Sequence, residues 1–225
     1  TRARRARLDR LGFGIAEAMD TAQRFEIGGP VASRLIDLCR RLAPRTGFIA
    51  GAGVDHLEQV GSKAELVEGV VFQARYIQRA GGWPIVLPLA WLCEQDASES
   101  DYVEVYGEIF SQLEGPLFVH WLGEMFQPAL RGYFPGDSFQ RVMALAPDKV
   151  RGAKLSLLDP QLERTLREAL LERDQLLLTG DDLNFARLLR GDDPAREAEA
   201  PAPLRWTSVG GRRVALGDFS HALLG

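Results

Sequence analysis

Few residues in this chain combine a reactive side chain with an apolar setting, and Lys154 is the first of them. Only three lysines occur in 225 residues, against twenty-four arginines. Lys63 and Lys149 sit in polar surroundings, whereas Lys154 lies in Val150-Arg-Gly-Ala-Lys-Leu-Ser156, an apolar run that begins on a β-branched residue. Burying an ammonium is costly, so burial favours the neutral amine, the form that attacks a carbonyl to give a Schiff base. The plainer alternative is a lysine whose stem lies along a strand while its head reaches solvent. His120 closes a second apolar run, Pro116-Leu-Phe-Val-His-Trp121, and offers a proton carrier for neutral pH or a hydrogen-bonded core imidazole.

These residues need elements to bring them together, and the hydrophobic pattern supplies a regular series. Strands are expected near 11–18, 47–53, 83–90, 116–121, 150–156 and 175–179. Helices are expected over 1–10, 31–43, 62–80, 101–113, 137–146 and 160–173, with another starting at Leu183. Ser62 is placed to cap the third of these, with Glu65 at the capping-box position. The strands are apolar on both faces, as parallel strands covered on both sides are. Their starts are spaced roughly as in a (β/α)₈ barrel, about 31 residues per unit. Gly51-Ala-Gly53 lacks the third glycine of a dinucleotide fingerprint, which argues against the open doubly wound sheet. The expected fold is therefore α/β, a TIM barrel with strands 1 and 8 missing from this chain. It forms a single incomplete domain over 1–225, with a charged, Pro/Ala-rich insertion at about 192–216 that ends in a hairpin around Gly210-Gly211.

In such a barrel the C-terminal strand ends share one mouth. They carry Glu17, Asp20 and Thr21, then Asp55 and His56, His120, Lys154 and Ser156, and finally Asp181 and Asp182. Two mechanisms fit this inventory. Lys154 as nucleophile, with His120 or Thr21 moving protons, suits aldol-type cleavage of an oxo acid or a sugar derivative. Alternatively Glu17, His120 and Asp181 or Asp182 hold a divalent metal, with Lys154 as an electrostatic partner, for isomerisation or lyase chemistry. A structural account exists for several of these residues: Asp181-Asp182 before Leu183 is also an ordinary helix cap, Thr21 a local backbone partner, and His56 and His221 surface residues.

Composition narrows the partners. The chain is 46% hydrophobic and 26% charged, with a net charge of −4, so no single-sign surface points to nucleic acid. The Arg-rich start reads as a solvated helix face. No apolar run approaches the length of a membrane span, and no signal peptide is evident. Cys39 and Cys93 are isolated, which suits a reducing, cytoplasmic setting.

Three segments taken together resemble the dihydrodipicolinate synthase and N-acetylneuraminate lyase superfamily of class I aldolase barrels. Val150-Arg-Gly-Ala-Lys-Leu-Ser156 is similar to its Gly-x-Lys strand, Leu178-Thr-Gly-Asp-Asp182 to its Ser-Gly-Asp-Asp turn, and Asp20-Thr-Ala-Gln23 stands where its Thr-Thr-Gly-Glu loop binds the substrate carboxylate. Their order and spacing agree over residues 11–191. Ala16–Arg24, Val119–Phe126, Lys154–Asp159 and Ser220–Gly225 look closer still to a bacterial branch known only as dihydrodipicolinate-synthase-like, in which Ser220–Gly225 would lead into the eighth strand. The resemblance implies a Schiff-base lyase or aldolase, without cofactor, that acts through Lys154 as a homo-oligomer on a small carbonyl substrate. His120 and Thr21 would assist, and Asp20, Glu17, Asp181 and Ser156 would line the substrate. The departures matter: His120-Trp-Leu-Gly123 replaces the family's relay tyrosine segment, Asp20 replaces its first threonine, and no arginine stands beside Met125. A neutral or hydroxylated carbonyl compound is the expected substrate. The remaining alternatives are the metal-dependent enzyme and a non-catalytic sugar-binding barrel.

Overall fold

The structure is a computed structural model that describes residues 2–19, 21–185, 188, 205–209, 212–216 and 221–222; for 2, 21–23, 25–27 and from 205 onward it describes the backbone alone. The chain opens with α1 (Arg2–Arg10) and β1 (Ile15–Glu17), followed by α2 (Thr21–Leu42), β2 (Phe48–Ala52), α3 (Lys63–Arg79) and β3 (Trp83–Val86). Then come α4 (Ala90–Glu94), α5 (Glu99–Ser111), β4 (Leu117–Leu122), α6 (Ser138–Ala144), β5 (Val150–Ser156), α7 (Pro160–Leu171) and β6 (Leu176–Thr179). Three more strands, β7 (Arg205–Val209), β8 (Arg212–Leu216) and β9 (His221–Ala222), close the series.

Strands β1 to β6 lie side by side in sequence order, all parallel, and β9 adds to β6 in the same sense. The sheet curls into a half-barrel, a partial TIM barrel that lacks end strands. From β1 to β5, each strand is followed by helical chain that returns to the next, as parallel neighbours require. β7 and β8 pair antiparallel with Trp206 opposite Ala215, as the sequence anticipates for the hairpin. The rest of the expected 192–216 excursion, and the helix expected to run on to Leu189, lie wholly or partly outside the described residues.

Two separate apolar layers result from the alternation along each strand. The outward face packs on the helices through residues such as Val86, Val119, Ala153, Leu155 and Leu177, against Val70, Ile77, Tyr106, Ile109 and Leu166. The inward face is a smaller cluster of Met19, Ile85, Leu87, Phe118, Leu176 and Leu178, with Ile49 and Trp83 beside it.

Helix limits follow local chemistry. Ser62 caps α3 by accepting the Glu65 N–H, although Glu65 itself reaches Gly61 N rather than the cap residue. α5 starts earlier than the pattern suggests, because Ser98 and Asp101 form a reciprocal capping box. α2 also starts ten residues before the expected Val31. Gly28, at φ 73°, breaks it into two pieces, a backbone angle open to glycine, and Pro30 begins the second. β3 stops at Val86, short of the expected Ala90, ahead of Pro88 and the short α4.

Candidate active site

Register decides which polar residues meet. His120 on β4 is paired with Lys154 on β5, and Lys154 with Leu178 on β6. One level below, Phe118 lies beside Gly152, and Gly152 beside Leu176, so these side chains share the inward face. Lys154 is therefore the cationic side chain set above the apolar cluster of Phe118, Leu176 and Leu178, and it is 8% exposed. Ser156, two residues on, shares its face and is also buried. His120 Nε2 lies 3.2 Å from Ser156 Oγ, while its Nδ1 is buried without a hydrogen-bond partner. Burial drives the His120 pKa well below its ordinary value, and the charge of Lys154 pushes it further down, so the imidazole is neutral.

Glycines make the room. A Cβ at Gly152 would come within 2.3 Å of Leu176 O, so β5 and β6 approach too closely there for any larger residue. A Cβ at Gly180 would fall 2.2 Å from Ser156 Oγ and 2.5 Å from Lys154 Cε. The turn after β6 is thus the wall against which the lysine stem and the serine hydroxyl rest.

Glu17 takes the other side. Register pairs it with Ala50 and puts it on the helix-facing side with Ile15, where its carboxylate pairs with Arg5 and accepts from Cys39 Sγ of α2. Burial and the Glu17 charge push the Cys39 thiol up to about 12, which keeps it a thiol. Asp181 also turns outward. Its Oδ1 accepts from Leu183 N and Asn184 N, and its Oδ2 from Asn184 Nδ2, so it acts as the helix cap that its sequence context allows. The three groups of the metal reading are consequently not brought together. Among the described residues no cluster of three His, Cys, Asp or Glu is placed to hold a metal ion. Asp20 and the Thr21 side chain lie outside the described residues.

Two buried networks escaped the sequence reading. Arg24 is 2% exposed and lies behind β1 and β2. It donates to Ala18 O and Gly51 O, bonds Asp55 through Nε at 2.9 Å and Nη2 at 3.1 Å, and reaches Gln73 Oε1. Gln73 Oε1 also accepts from Gly53 N, and its Nε2 serves Asp55 Oδ1 and His56 Nδ1. Burial would raise the Asp55 carboxyl, but hydrogen bonds and charge from Arg24 hold it below the usual range. A cavity of about 540 Å³ between α2 and α3 opens over this network, bounded by Gly29, Ile36, Phe72 and Tyr76. In the second network Thr179 Oγ1 donates to Glu163 Oε2 at 3.1 Å and accepts from Asp181 N. A signal existed for each. Arg24 falls inside the Ala16–Arg24 stretch, and Glu163 stands three and seven residues before Leu166 and Leu170, on the buried stripe of α7.

Comparison with known proteins places the chain. The profile of one family, described as "Protein of unknown function (DUF993)", matches residues 1–225. The chain belongs to that family. No curated protein sequence matches this DUF993 chain. Among solved structures, it is similar to a Pseudomonas aeruginosa protein described as a "putative dihydrodipicolinate synthetase", at a TM-score of 0.60 and 18% identity. The match covers 84% of the DUF993 chain and 60% of that protein, so the chain spans under two thirds of its neighbour's length. The likeness extends to the fold. No helix among the described residues is long and apolar enough to cross a membrane.

Proposed function

We propose that this chain is the catalytic barrel of a class I aldolase-type lyase, in which Lys154 forms a Schiff base with a neutral or hydroxylated carbonyl compound. The observation that carries the reading is the side-by-side placement of Lys154 and His120 at the top of the barrel interior, with Ser156 bonded to the imidazole. The Lys154 amine attacks the carbonyl carbon, and loss of the carbonyl oxygen as water leaves an iminium. That cation draws electrons from the bond between its α and β carbons as it breaks, which leaves an enamine on Lys154 and, as the β-hydroxyl gives up its proton, an aldehyde or ketone. The carbinolamine oxygen must gain a proton before it leaves, and the departing fragment must exchange one. His120, neutral and joined to the Ser156 hydroxyl, is the pair placed for both transfers. Its unpartnered Nδ1 offers a further hydrogen bond to a substrate hydroxyl. The fold supports the same reading, since the structural neighbour is described as a "putative dihydrodipicolinate synthetase". The working form is a homo-oligomer in a reducing, cytoplasmic compartment.

Borohydride trapping tests this directly. The protein is incubated with a panel of oxo acids and keto sugars, reduced, and mapped by peptide mass spectrometry. A reduced adduct on Lys154 that vanishes in Lys154→Ala, while that variant still binds the same compound, supports the mechanism. Binding of a carbonyl compound with no adduct at Lys154 sinks it.

A further inference from the structure

The Thr179-Gly180-Asp181 turn is held from behind by Glu163. This carboxyl is 3% exposed, although it stands in the first turn of α7, where glutamates usually face water. Leu162 beside it is the exposed member of the pair, so α7 is rotated to turn an acid inward in place of an apolar neighbour. Glu163 Oε2 accepts from Thr179 Oγ1, and that oxygen accepts the Asp181 N–H. Gly180 N in turn donates to Leu155 O at 2.7 Å. Between these two anchors lies Gly180, whose missing Cβ is the space that Lys154 Cε and Ser156 Oγ occupy. Glu163 Oε1 is buried without a partner, a cost that an apolar residue at this place on α7 would avoid.

We propose that Glu163 is a positioning residue for Lys154: through Thr179 it fixes the turn that walls the lysine. The proposal rests on Lys154 being the reactive group, as argued above. Burial pushes the Glu163 carboxyl up to about 7, with Thr179 and Arg167 opposing the rise and Asp181 adding to it. Those are the groups that act on it: Thr179 from β6, Asp181 from the turn, and Arg167 from its own helix. Burial favours the neutral acid and the Thr179 hydrogen bond favours the carboxylate, so the link from Glu163 to the turn is kept in both states.

Reductive methylation reads this without any substrate. Formaldehyde condenses with the lysine amine, water leaves, and cyanoborohydride delivers hydride to the imine. Labelling of the Lys154 peptide is followed at pH 8, with Lys63 and Lys149 as internal references. Glu163→Gln keeps an acceptor for Thr179 and should label at the wild-type rate. Glu163→Ala and Thr179→Val should label Lys154 several-fold faster with Lys63 and Lys149 unchanged, and thermal melting run on each variant identifies any that unfolds. Wild-type labelling of Lys154 in both Glu163→Ala and Thr179→Val, or the faster rate in Glu163→Gln as well, overturns the proposal. Substrate trapping on the same samples separates the two claims. A changed labelling profile without any substrate adduct leaves the positioning role and removes the imine reaction, whereas an adduct with an unchanged profile removes the positioning role alone.

Discussion

Lys154 is surrounded by atoms that restrict it, and the tightest restriction comes from a residue that has no side chain. Gly180→Ala would place a methyl on Lys154 Cε and Ser156 Oγ. These two closest obstacles are side-chain atoms, with the backbone oxygen of Leu155 next at 3.1 Å, so the clash relaxes mainly by displacing the side chains, at a cost of about 1 kcal/mol in stability. Trapping at Lys154 should fall far more, by about a hundredfold, because a 1 Å misplacement of a reacting group is enough for that. Urea midpoints and adduct yields measured on one preparation would check the contrast. Glu163 makes a second prediction, about stability. Its folded pKa of about 7 exceeds the ordinary 4.5, so the folded state keeps a proton that the unfolded chain has released. The stabilisation tied to this carboxyl is complete below about pH 4.5 and is lost as pH rises through 7. Glu163→Gln should flatten that part of the pH–stability curve and be the more stable protein at pH 8, by about 1–3 kcal/mol.

At the scale of elements, the Arg24 network ties the ends of β1 and β2 to α2 and α3. Arg24 and Asp55 side chains are each 2% exposed and joined by two hydrogen bonds, and the guanidinium also satisfies carbonyls on both sides of the β1 and β2 ends. Arg24→Ala would strand the Asp55 carboxylate in the interior, a loss of about 3–5 kcal/mol that chemical denaturation can measure. The same network responds to acid. His56 Nδ1 faces the Gln73 amide nitrogen at 2.8 Å and must accept from it, because Gln73 Oε1 is already used by Arg24 and Gly53. Burial lowers the His56 pKa, with the Asp55 charge opposing and the Arg24 charge assisting. Protonation turns Nδ1 into a donor aimed at a donor, so stability from this link is present above about pH 6.5 and is lost as pH falls through the depressed folded value. The protection of the Gly53 amide, with the intrinsic exchange rate divided out, should fall on acidification in the wild type, and this dependence should disappear in His56→Phe.

Over the whole molecule, the order of strands and their parallel sense were legible in the sequence. Long apolar runs at regular spacing admit little besides a barrel-type sheet, and Lys154 and His120 stood out because charge and imidazole are rare inside such runs. Helix ends were less legible, since caps such as Ser98–Asp101 and the break at Gly28 depend on side-chain and backbone geometry over a few residues. The composition of the mouth could be read only in part from strand ends alone, which gave Lys154, His120 and Ser156 but also residues that face elsewhere. A one-residue change of parity sends a side chain to the opposite face of a sheet. Glu17 and Asp181 sit at strand ends just as Lys154 does, yet both face the helices, where one pairs with Arg5 and the other caps the next turn. Glu163 was missed for a different reason: its spacing from Leu166 and Leu170 puts it on the buried stripe of α7, but an acid in the first turn of a helix is ordinarily solvated. The sequence by itself determined the alternation of strands and helices and the lysine they present, because periodicity and burial of apolar residues are properties of the chain. Only the tertiary structure decided which polar residues share that lysine's space, because register and helix rotation are set by contacts between segments far apart in the chain.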